Sequence, residues 1–483
     1  MRGRLQSKSR MTILHTALAG LALAMPLCSA NAQQPDKSPA WPPELISKLE
    51  KLRDAALASD YAWRQLAHLT ENIGPRISGS PQAQQAVDYV AAELRSLGLE
   101  VKLEKVMVPH WVRGEERAAL TVFPGQAPGT TQKIVLTALG NSAATPTDGI
   151  SAEVVVVNNF DELAALGREK VAGRIVLFNE KYDQRMAAQG HAFEAYGSAV
   201  AYREAGAQAA QRLGAVASLV RSVSNADYRL PHTGDSIAAG IPAAAVAAED
   251  ADLLADLTAQ GRVVMHLVLT PQTLPDAVSY NVIADLQGSE HPEQVVIVSG
   301  HLDSWDLGTG AIDDGAGVAV AMQAANLCKQ LGLRPRRTLR VIAWMNEESS
   351  GRGARAYAQD YQTDLANHLG AIESDGGADH PVGFDGAFKP AMVQALEPVS
   401  KVLEAIGAGL FHPGGEGGAD IGKMIPAGVP AFGLTQDSRT YFNYHHSAAD
   451  TLDKVHPHEL AENAAAMAVL AYALADMPQP PPR

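Results

Sequence analysis

From Ser279 to the C-terminus the sequence alternates short, nearly continuous apolar runs with stretches of helical length, and this alternation narrows the choice of fold more than any other feature. The runs Val295 to Ser299, Thr338 to Met345, Leu369 to Ser374 and Pro430 to Leu434 have the pattern of strands buried on both faces. Between and after them, Ala316 to Leu331, Arg352 to Tyr361, Ala391 to Ile406 and Pro457 to Met477 read as helices. Strands joined through helices run parallel and carry those helices on their faces. The expected class is therefore α/β, a mostly parallel mixed sheet covered by helices. A hydrophobic fraction of 46% against 19% charged residues, with 42 glycines, agrees with a folded chain rather than a disordered one.

The 483 residues allow about three domains, or two when one is a large α/β unit. Near the start of the folded part, Ser80 can cap a helix with Pro81 at its first position and Gly98 closing it. A strand from Val101 to Val108 follows. Between about residues 131 and 270 the texture changes to strand-like runs alternating with Ala-rich helical stretches, so a separate insert is expected there, splitting the main domain into 44–130 and 271–483. His191, His232 and Asp235 are scattered within this insert and read as loop or surface residues.

Arg2, Arg4, Lys8 and Arg10 precede an apolar run from Met11 to Leu27, and Ala30-Asn31-Ala32 offers small residues where a signal peptidase needs them. Residues 1–32 are expected to be a cleaved signal, and 33–43, rich in Pro and polar residues, a disordered leader. The apolar run is shorter than the roughly 20 residues a spanning helix requires. Export to a periplasm or the medium is expected, with no membrane insertion after cleavage. Only Cys28 and Cys328 are present, and loss of the signal leaves no intramolecular pair to oxidise. Cleavage also removes four positive charges, taking the formal charge of −14 further negative, which opposes binding to nucleic acid.

Ligands in open α/β sheets bind beyond the carboxyl ends of the strands. Three of the strands run directly into metal-type residues: His301-Leu302-Asp303, Asn346-Glu347-Glu348 and Glu373-Ser374-Asp375. Asp313-Asp314 before a helix and His445-His446 in a loop complete the set. Each group alone is weak evidence, since an Asp before a helix is commonly a cap. Five groups at one rim of a parallel sheet are harder to explain as solvated loops, because crowded acids raise one another's pKa unless cations compensate them. Imidazole with carboxylate suits zinc, with cobalt or manganese as alternatives. More than three ligand groups suggests two ions about 3.5–4 Å apart sharing a carboxylate, for which Asp313 is the candidate.

The order His301-x-Asp303, Asp313-Asp314-Gly315, Glu347-Glu348, Glu373-Ser374-Asp375 and His446-x-x-x-Asp450-Thr451 resembles the co-catalytic zinc aminopeptidases of the M28 family. The likeness extends to Ile73-Gly74-Pro75-Arg76-Ile77-Ser78-Gly79-Ser80 and to the insert, which looks like a β-rich α+β protease-associated domain at 131–270. The resemblance implies one zinc held by His301, Asp313 and Asp375 and a second held by Asp313, Glu348 and His446. It further implies Glu347 as general base, Asp303 as the carboxylate orienting His301, and Asp420 in the substrate pocket. It selects Asp313 over Asp314 and His446 over His445. Asp314, Asp306 and Glu373 are left out of the site, as each can cap a helix or bind backbone amides. The Glu347-Glu348-Ser349-Ser350-Gly351 turn departs from relatives that carry more glycine.

The implied function is a di-zinc aminopeptidase or dipeptidase acting on short peptides, with a homodimer expected from similar relatives. Two other functions fit the same fold: a one-zinc glutaminyl cyclase-type aminoacyl transferase, and an inactive, receptor-like peptide-binding protein. Glu347 and the five-ligand set weigh against the receptor-like reading, and the paired-metal set and the large insert against the cyclase.

Overall fold

The computed structural model describes residues 41–226 and 228–482. The expected signal, and the leader as far as residue 40, lie outside the described residues. From Trp41 onward the chain forms one compact unit containing two eight-stranded sheets.

The first sheet is built around four parallel strands in the order Arg337–Trp344, His291–His301, His368–Glu373 and Ala431–Gln436. Antiparallel strands flank them, with Gln272–Leu286 and Glu100–Val112 on one side and Pro381–Gly386 on the other. Leu410–Pro413 closes the far edge. Successive residues of a strand face opposite sides. Accordingly Val296 and Val298 join one core with the helices Ala316–Gln330 and Pro457–Asp476, while Val295 and Ile297 join another with Tyr357, Ile421 and Met424. This double burial explains why the strands carry so little polar alternation.

The helix Pro81–Ser96 starts as its sequence indicates, with Ser80 Oγ accepting the Ala83 amide. The stretch Ala391 to Ile406 is not the single helix expected. It divides into Pro390–Ala395 and Glu397–Leu403, because Pro398 has no N–H to continue the ladder. The ribbon formed by Glu100–Val112 and Gln272–Leu286 is longer than the sequence suggested. The start of its second strand, from Gln272 to Val278, is almost wholly exposed and gives no burial pattern to read.

The second sheet takes strands from Glu116–Val122 to Val264–Leu269. It therefore begins before residue 131, the start assigned to the insert, and takes up a strand counted there with the main domain. Among the described residues no helix is long and apolar enough to cross a membrane.

Arg76 shows why the Ile73-to-Ser80 segment matters. It is fully buried and donates to the carbonyls of Leu302 (2.8 Å), Thr309 (2.7 Å) and Gly310 (2.8 Å), fixing the loop between two site segments. Arg76→Met strands those carbonyls without a donor. It is expected to lower unfolding stability in urea by about 3 kcal/mol or more. Arg76→Lys should recover only part of this, since an ammonium lacks the planar fork.

Candidate metal centre

The parallel strands deliver their C-terminal residues to one rim. His301 ends its strand opposite Trp344, so Glu347 and Glu348 emerge beside it, and Asp375 emerges two residues after Glu373 on the other side. Asn346 reverses the chain at φ 71°, a left-handed conformation that asparagine tolerates better than most residues. Asp313 and Asp314, joined by a cis peptide, lie just before the helix Ala316–Gln330. That helix approaches the rim closely: a Cβ at Gly317 would stand 2.0 Å from the Ser374 carbonyl oxygen.

Asp313 occupies the middle of the cluster. Its Oδ1 lies 2.9 Å from His301 Nε2, and its Oδ2 lies 3.2 Å from His446 Nε2. Asp375 Oδ1 stands 3.3 Å from the same His301 nitrogen, and Glu348 Oε2 stands 3.0 Å from the same His446 nitrogen. Two triads therefore share one carboxylate, each using a different oxygen of it. His445 also comes within 3.5 Å of Asp313 Oδ2, its ring stacked on that of His446 at 3.6 Å. Only His446 of the two also meets Glu348.

The electrostatics are those of acids crowded without enough counter-charge. Burial pushes Glu348 up to about 7, helped by Asp313 and opposed by His446. Glu347 is raised well above the ordinary range by burial and, against the pull of His301, by Asp375, Glu348 and Asp313. Burial alone would lower both histidines, yet Asp375 and Asp313 hold His301 well above its ordinary value, and Glu348 and Asp313 do the same for His446. Asp313 itself, despite burial, is pulled down by His301 and His446.

A metal pair fits these residues. Asp313 Oδ2 is buried with no hydrogen-bond donor, although two imidazole nitrogens face it. Ligand atoms sharing a tetrahedral ion at about 2.0–2.2 Å stand about 3.3–3.6 Å apart. The observed separations of 2.9 to 3.3 Å are within a few tenths of that.

The chain is 40% identical over 435 residues to carboxypeptidase Q of Homo sapiens, with 88% of each chain covered. It belongs to peptidase family M28. The family model, Peptidase family M28, matches residues 281–471, which include every residue of both triads. A peptidase M28 precursor from Shewanella amazonensis superposes with a TM-score of 0.84 at 35% identity, covering 91% of this chain and 99% of that one. A zinc aminopeptidase from Bacillus subtilis shares the fold with a TM-score of 0.62 at 18% identity, covering 86% and 95%. This M28 chain is accordingly a hydrolase of the metallopeptidase type with the family's mixed α/β fold.

Within the M28 framework Asp303 does not stand as expected. His301 Nδ1 meets the main-chain carbonyl of Asp303 at 2.9 Å, while the Asp303 carboxylate is 4.0 Å from it. That carboxylate instead accepts the Asn346 and Glu347 amides and the Ser78 hydroxyl, holding the segment that carries Glu347. Asp314 accepts the His301 and Gly317 amides, both at 2.9 Å, and Glu373 those of Asp420 and Ile421. Asp306 pairs with Arg113.

Asp420 is buried with both carboxylate oxygens unpartnered. Burial, Glu373 and Glu347 all raise it, so it lies near Glu347 rather than within either triad. Of the three polar residues set aside in the second segment, His191 is exposed and pairs with Glu194. His232 is not a surface residue: it is buried, and its Nδ1 meets the His445 carbonyl at 2.6 Å. Asp235 accepts from Asn141 at 2.8 Å. No spacing or motif in the sequence marks the last two.

Proposed function

We propose that the chain is a di-zinc exopeptidase that hydrolyses short peptides at a free amino terminus, as an aminopeptidase or dipeptidase. The observation that carries this reading is Asp313, with one carboxylate oxygen against His301 and the other against His446. Its natural use is to bridge two ions. Imidazole and carboxylate donors suit zinc, the metal of the Bacillus subtilis aminopeptidase that shares the fold. His301, Asp313 and Asp375 would hold one ion, and Asp313, Glu348 and His446 the other. Bound there, the ions would polarise the scissile carbonyl and lower the pKa of water.

The rest of the chemistry falls to the chain's own groups. Glu347, raised by burial and acidic neighbours, suits a base that takes a proton from water and returns it to the leaving amine. Asp303 holds its backbone in place. Asp420, buried with both carboxylate oxygens unpartnered, is read as the substrate-pocket carboxylate, a role that suits recognition of a substrate ammonium. The segment 131–270 is read as a protease-associated domain, and the chain as exported after loss of residues 1–32 and able to form a homodimer.

Cleavage of a dipeptide panel and its N-acetylated counterparts tests the reading. A chelator is expected to abolish hydrolysis, two equivalents of zinc per chain to restore it, and N-acetylation to block it. Full activity after chelation would overturn the metal mechanism. Equal cleavage of acetylated peptides would move the chain to a carboxypeptidase specificity, as in its Homo sapiens relative's name.

A further inference from the structure

His446 has φ 59°, a left-handed conformation uncommon for non-glycine residues, though His, Asn and Asp adopt it more readily than the rest. The turn that carries it is gripped by the second-sheet segment. His232 Nδ1 meets the His445 carbonyl at 2.6 Å, and the Thr233 amide donates to the His446 carbonyl at 2.8 Å. The Thr233 carbonyl lies 3.3 Å from His446 Nδ1, and Arg203 Nη1 lies 3.5 Å from the same nitrogen. Farther back, Ser224 Oγ and the Asn225 amide both donate to the Phe442 carbonyl. An imidazole that binds metal through Nε2 commonly has its other nitrogen fixed by an acceptor, and here that acceptor comes from a different sheet.

We propose that His232 and Thr233 are positioning residues for His446: the second-sheet segment locks the His445–His446 turn so that Nε2 of His446 faces Asp313 and Glu348. On this view the segment is a working part of one metal site and not only a neighbouring module. The inference rests on the two-ion reading above.

The test is zinc binding by the full chain, read by elemental analysis and chelator competition, for the parent, His232→Phe and His232→Asn. Phenylalanine keeps a ring but removes the donor, whereas the asparagine amide can replace Nδ1. The Phe variant is expected to hold the ion at His301 while binding the other about 10–100-fold more weakly, and the Asn variant to recover most of that loss. The melting temperature of the metal-free protein is expected to fall somewhat in His232→Phe, which strands the His445 carbonyl, and to be largely restored in His232→Asn. Two ions held with parent affinity by His232→Phe would overturn the proposal alone. Loss of both ions together would also overturn it, leaving His232 a purely structural role. A parent chain that binds fewer than two ions would overturn the two-ion reading and the clamp with it.

Discussion

Glu347→Gln is expected to cut dipeptide turnover by about 10²–10⁴-fold, the range for loss of a positioned general base, while metal content stays at the parent value. The amide keeps the shape of the side chain and the Glu347 backbone contact to Asp303, but it cannot accept a proton from water. Because Glu347 belongs to neither triad, the substitution should separate chemistry from metal binding. KM is expected to move little beside kcat, since the lost interaction is made in the transition state. Parent-like turnover in this variant would remove Glu347 from the mechanism.

Asp313→Asn is expected to have the opposite signature. An amide nitrogen replaces one of the two oxygens that face the two histidines, so one ion loses a ligand directly. Affinity for that ion should fall by more than about 100-fold, the upper range for partners that merely orient a ligand. Metal content should drop from two ions to at most one, with activity lost accordingly. Asp314→Asn is the control. Asp314 binds the His301 and Gly317 amides, so it should cost stability, about 1–3 kcal/mol, before it costs metal. If Asp314→Asn emptied the site and Asp313→Asn did not, the assignment of the adjacent pair would be reversed.

The features readable in the sequence are those that burial writes into composition. Val295 to Ser299 and Leu369 to Ser374 are apolar because both faces of those strands are covered. His301 and Asp375 were therefore legible as residues that follow such runs. Asp314 was legible as a residue that binds backbone amides, because an Asp before a helix has a common local use. Contacts made by the main chain were not legible. The role expected of the Asp303 carboxylate falls to its carbonyl, and the grip on His446 comes from the Thr233 backbone, some 210 residues away in sequence. Any residue type can supply such groups, so no spacing records them. His232 was misread for a related reason: an isolated histidine in a segment of uncertain packing gives no sign of being buried against another layer.

The covering of the site by the second layer has a kinetic consequence. The spaces that reach Glu348 hold about 20 Å³ where Trp305, Asn141 and Asp235 form the wall, and about 10 Å³ beside Asp313 and His446. A larger space of about 220 Å³ is lined by Ile312, Gly376 and Tyr441 without including a ligand residue. A pocket for a small-molecule ligand takes about 300–1,000 Å³, an order of magnitude more than the spaces at the ligands. If a substrate has to widen these spaces to reach the ligand residues, that widening acts as a gate in each turnover. When such a gate sets the pace, substrates of very different intrinsic reactivity converge on one maximal rate, and solvent viscosity slows them all alike.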